Sequence, residues 1–142
     1  MKTFVIIIVI IYSAMLLSFK NDDTINIYTQ ALKSYIGNTK VDTLYILKCQ
    51  DIKIPEKIGK QVLIDIEASE KNWVKQKGTL NAVKIMPIKV DKDFIEITLT
   101  DFVLTMENNE RVMRNFGSVT FIYKYDISQK KYNLIKKTKQ HI

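Results

Sequence analysis

Cysteine and histidine are almost missing from this sequence: Cys49 and His141 are the only examples. A lone cysteine excludes an intramolecular disulfide. The fold must therefore rest on a hydrophobic core. Soft-metal sites need several Cys and His ligands, so zinc-type clusters are excluded as well. A thiol nucleophile needs a histidine base, and His141 stands next to the carboxyl end, where chains fray. Cys49 follows the apolar run Leu44-Tyr45-Ile46-Leu47-Lys48 and reads as a buried spectator. The four glycines stand apart at 37, 59, 78 and 117, so no glycine-rich phosphate loop exists. No Gly-x-Ser-x-Gly elbow exists either. Asp91-Lys92-Asp93 opens like a calcium loop but lacks the glycine and later glutamate of one. It reads as a hairpin turn. Glu67 with Glu70, and Glu107 with Glu110, are spaced carboxylates. Acid–base work needs one of a pair in a dry pocket, and nothing in the sequence places one there. These absences point away from an enzyme, and no catalytic residue, metal or cofactor is expected.

What is present begins at the amino end. Lys2 precedes nine apolar residues, Phe4 to Tyr12, and the chain turns polar at Lys20-Asn21-Asp22-Asp23. A positive start, an apolar stretch and a small residue such as Ser18 form the pattern of a secretory signal. Leu16 departs from the A-x-A pattern, and Thr3 to Phe19 is long enough, at the lower limit, for a retained anchor. Residues 1–19 are thus read as a signal peptide or a membrane anchor. Either reading exports the body of the chain, to the periplasm, the envelope or the medium. Residues 20–142 are then one domain, large enough to bury a single core.

Charge is unevenly spread. Residues 111–142 carry eight bases and one acid, Asp126, which equals the whole net charge of +7. Lys124, Lys131, Lys136, Lys137 and Lys139 form a basic hairpin, interleaved with Tyr123, Tyr125 and Tyr132. Such a patch attracts anionic partners. It is also what an exposed sheet edge uses to discourage pairing with other chains.

The element pattern is a helix followed by strands. Asp22 or Asp23 can cap a helix, and Ile25, Tyr28, Ala31, Leu32, Tyr35 and Ile36 give it one apolar stripe. Gly37 ends it. Val41–Lys48 and Val62–Glu67 read as strands. Ile52–Lys60 reads as a loop with a short helical turn after Pro55. Ala68–Gly78 is ambiguous, though Trp73 and Val74 need burial. Leu80–Lys89, Phe94–Met106, Arg111–Tyr125 and Lys131–Thr138 read as four strands joined by short polar turns, a meander. The apolar parity changes near Thr100-Asp101, and Gly117 interrupts the next strand. Both features predict bulges and a curved sheet. The expected fold is α+β: one amphipathic helix packed on a curved, mainly antiparallel sheet.

This order, with the closing hairpin Phe121–Tyr125 and Lys131–Ile135, resembles the cone-shaped domains of the nuclear-transport-factor-like superfamily, with cystatin-like domains second. Members usually carry more helix at the amino end. The Gln-x-Val-x-Gly inhibitory loop of cystatins is absent, and no family site is carried over. The resemblance implies a ligand cavity between helix and sheet, for which Tyr28, Tyr35, Trp73, Phe102, Phe121 and Tyr123 are the candidate lining. Aromatics at such spacing also suit plain core.

Two functions follow as expectations. One is a non-catalytic exported domain that binds a protein or small molecule through the sheet or the cavity, with self-association left open. The other is a module that meets an anionic envelope surface through the basic hairpin. Export makes nucleic acid a poor target.

Overall fold

The computed structural model describes residues 22–37, 39–49, 52–69 and 72–141. Residues 1–19, expected to be a signal peptide or anchor, lie outside these residues. No helix among the described residues is long and apolar enough to cross a membrane. The elements are α1 (Asp22–Ile36), β1 (Thr43–Lys48), β2 (Lys57–Ile58), β3 (Gln61–Asp65), α2 (Trp73–Lys77), β4 (Thr79–Ile85), β5 (Lys89–Asp91), β6 (Phe94–Glu107), β7 (Glu110–Asp126) and β8 (Lys131–His141).

The α+β expectation is corrected. The chain is mostly β, with a curled mixed sheet and two helices among the described residues. The strand order is β2-β3-β1-β4-β6-β7-β8, and β5 also pairs with β6. β4, β6, β7 and β8 run antiparallel, as short turns require. β1 instead runs parallel to both of its neighbours, β3 and β4. Parallel neighbours need crossover connections, and the segments on either side of β3 supply them. Long connections leave no local turn signal.

Both faces of the sheet are covered, which explains the run Leu44-Tyr45-Ile46-Leu47. All four of these residues are buried, as in strands sandwiched on two sides. Leu44 and Ile46 join a first core under α1, with Ile27, Leu32, Leu99 and Phe121. Tyr45 and Leu47 join a second core on the opposite face, with Val74 of α2, Leu80, Ala82 and Leu104.

This also corrects the bulge expected inside β6. Ile97 and Leu99 face the first core and Leu104 the second. The parity change is a change of covered face, with no inserted residue. The extra residue lies on β7. Asp101 pairs with Gly117 and Phe102 with Asn115, which leaves Phe116 unpaired. That bulge turns Met113 toward the second core and Val119 toward the first. A second slip opposes Ile122 to Lys136 and Tyr123 to Leu134, leaving Ile135 over.

Smaller differences follow local chemistry. The strand expected over Leu80–Lys89 breaks after Ile85, where Pro87 lacks the N–H that a ladder needs. The turn after Pro55 is not helical: Gly59, at φ +61°, closes the small β2–β3 hairpin. The ambiguous stretch contains α2. Cys49 is exposed, because the chain leaves the sheet right after β1. The side chains of Asp22, Asp23 and Ile25 lie outside what is described, so the capping expectation does too.

Candidate functional site

The six aromatic residues expected to line one cavity are divided between the two faces of the sheet. Tyr28, Phe121 and Tyr123 are buried in the first core, with Tyr35 packed against it. Trp73 and Phe102 pack on the second core. Tyr35 helps to fix the helix to the sheet. Burial pushes the Tyr123 phenol up to about 12, and the Ser34 hydroxyl beside it works the other way. The Tyr35 phenol is raised further, first by burial and then by Asp101, to whose carboxylate it donates. Burial also raises Tyr28, against a backbone hydrogen bond at Ile88.

The five candidate lysines are divided as well. Lys137 and Lys139 stand opposite Phe121 and Val119, on the helix side, and Lys136 stands opposite Ile122 on the other side. Lys137 Nζ donates to the Ser34 carbonyl at 2.9 Å and lies 5.4 Å from the Phe121 ring centre. Lys124 lies 5.6 Å from the ring centre of Phe94. Lys131 pairs across the hairpin with Asp126.

Among the described residues, Trp73 of the aromatic set borders a concavity. This pocket of about 430 Å³ is lined by Ile66, Glu67, Ser69, Asn72, Trp73, Val74, Met106, Asn109 and Arg111. Three pieces of chain build it. The first is the turn after β3. Ile66 N–H donates to the Ile46 carbonyl at 2.9 Å, and Asp65 Oδ1 accepts from Glu67 N–H at 3.1 Å. Lys48 Nζ, 2.5 Å from Asp65 Oδ2, holds that carboxylate in a mostly shielded pair. The second piece is α2. Asn72 Oδ1 caps it by accepting from Lys75 N–H at 3.0 Å, and Gly78, at φ +74°, closes it. The third is the β6–β7 hairpin. Asn108 and Asn109 both have positive φ, the backbone a tight two-residue turn demands.

Trp73 forms one wall. Its ring centre lies 5.6 Å from that of Tyr45, at an interplanar angle of 57°, and its Nε1–H donates to Ser69 Oγ at 2.9 Å. Across the rim, Arg111 Nη2 lies 2.9 Å from Glu67 Oε1. Both partners are about half exposed, so this pair shapes the rim and adds little stability. The pocket thus joins a half-buried indole to an ion pair, two amides and a hydroxyl. It holds no thiol or imidazole. Among the described residues no cluster of three or more potential metal ligands occurs.

Trp73 was legible in the sequence as a large side chain in need of cover. Glu67 read as solvated surface, and Ser69, Asn72, Asn109 and Arg111 carried no signal. They meet only because the β6–β7 turn and the crossover after β3 reach the same end of the sheet. No protein-family model, curated protein or solved structure matches this chain.

Proposed function

We propose that this chain is a non-catalytic binding domain, working outside the cytoplasm, whose site is the Trp73 pocket. The pattern of the leader supports the location. One observation carries the site: an indole wall and convergent polar groups share one open concavity. Ligand sites are typically concave surfaces with apolar or aromatic lining and a few polar groups that orient the ligand. An aromatic face beside amides, a carboxylate and a guanidinium suits a small polar ligand with one flat, weakly polar side. A saccharide ring has that chemistry. The ring stacks on the indole, while its hydroxyls meet donors and acceptors around the rim.

Trp73 is the only tryptophan, so its emission reports on this pocket alone. Titration with a panel of neutral mono- and oligosaccharides is expected to shift or quench that emission saturably. Arg111→Gln is expected to weaken the response and leave the melting temperature nearly unchanged. A flat response across the panel, or one indifferent to Arg111→Gln and Asn109→Gly together, overturns the saccharide site.

A further inference from the structure

The second surface of interest lies at the other end of β7. Among the described residues β8 is an edge strand of the sheet, hydrogen-bonded to β7 on one side only. Residues 130–141 contain five lysines and no acid. Every β8 residue from Leu134 onward is exposed. Large apolar side chains are exposed in the same place: Ile127 in the turn is 82% exposed, Leu134 42% and Ile135 53%. Their exposure is built in. Asp126 Oδ1 accepts from the N–H groups of Ser128 at 2.9 Å and Gln129 at 3.1 Å, which fixes the turn carrying Ile127. The slip opposite Ile122 and Tyr123 leaves Ile135 without a cross-strand partner. Asp93 and Asp126 sit at its turn end, and Asp101, held by Tyr35, lies beside Gly117 near the opposite end.

We infer that the β8 edge and its turn form a docking surface for an anionic lipid bilayer. This surface is independent of the Trp73 pocket. Charge alone suits any polyanion. The apolar residues decide, because a hydrated polysaccharide offers them nothing, whereas the headgroup–acyl boundary buries them. Lysines flanking them face the negative headgroups. Tyr125 and Tyr132, with ring centres 5.0 Å apart, belong to the residue type that favours such boundaries.

The test uses the full chain, so that the leader is common to every sample. Cys49→Ser removes the single, exposed thiol. Ile135→Cys then carries an environment-sensitive fluorophore, and Lys57→Cys, on the opposite sheet edge, carries it as a control. Samples are mixed with vesicles of phosphatidylcholine alone or with added phosphatidylglycerol. The label at 135 is expected to shift to the blue and be quenched by brominated acyl chains in the anionic vesicles only. The label at 57 stays in water. Salt reverses the shift, and changing Lys131, Lys136 and Lys139 to Gln weakens it by about fivefold per charge. Four results overturn the inference. The label at 135 remains in water with both vesicles, or responds equally to both. It responds no more than the label at 57, or soluble dextran sulfate without lipid produces the same shift.

Discussion

The phenol of Tyr35 donates a hydrogen bond to the carboxylate of Asp101. It ties the last turn of α1 to β6 at the residue paired with Gly117, next to the bulge. The contact joins the helix to the place where the sheet changes its covered face. Tyr35→Phe removes the donor and leaves a half-buried carboxylate short of a partner. It is expected to cost about 1–3 kcal/mol, read from urea midpoints at constant slope. A cycle with Asp101→Ala is expected to show coupling above roughly 0.5 kcal/mol. Strictly additive effects would mean that the contact adds nothing.

Gly117 is buried, and a Cβ placed on it would stand 2.9 Å from the Gln140 carbonyl oxygen of β8. The β8 backbone on one side, at Gln140 and His141, and the Asp101 carboxylate at 3.6 Å leave little room to yield. Gly117→Ala is expected to loosen the β7–β8 pairing at that end and cost about 1–3 kcal/mol. Hydrogen exchange is expected to quicken in β8 ahead of β4 and β6. Unchanged protection in β8 contradicts the close approach.

Neighbouring lysines on β8 are expected to differ. Lys137 donates to Ser34 and covers the Phe121 ring, whereas Lys136 points to the other face. Lys137→Ala is expected to cost about 1 kcal/mol, and Lys136→Ala less than about 0.5 kcal/mol. Phe121→Ala and Leu32→Ala, each removing a fully buried side chain, are expected to cost about 2–5 kcal/mol. Equal melting temperatures for the two lysine variants would remove the helix tie.

Alkaline pH should unfold the protein partly through its buried phenols. Tyr123 is raised from 10.0 to about 12, chiefly by burial, and Tyr35 and Tyr28 are raised too. The unfolded chain therefore loses these protons first. The phenols' contribution is intact below pH 10 and declines as pH rises through about 12. Tyr123→Phe is expected to flatten that decline. Monitoring tyrosinate absorbance against circular dichroism checks it: ionisation of the buried phenols should coincide with unfolding.

The leader pattern, the charge imbalance of residues 111–142, the stripe of α1 and the antiparallel strands of the carboxyl half are all local signals. Periodicity, short turns and composition express them without reference to distant residues. Tyr28, Ala31, Leu32 and Ile36 are buried in the first core because helical spacing already put them on one face. Gly117 marks the bulge because a missing side chain is visible in one letter.

Other properties were decided only by the tertiary structure. β1 lies between two parallel partners, and its register with Ala82 and Ile64 depends on crossovers that leave no turn motif. The switch in β6 looked like an inserted residue because alternation cannot tell a bulge from a change of covered face. The pocket brings Glu67 to Arg111 and Trp73 to Asn109 across long stretches of chain. Periodicity records which way a side chain faces along its own strand or helix. What covers that face, and what meets it across a rim, depends on non-local packing, and only the folded chain determines it.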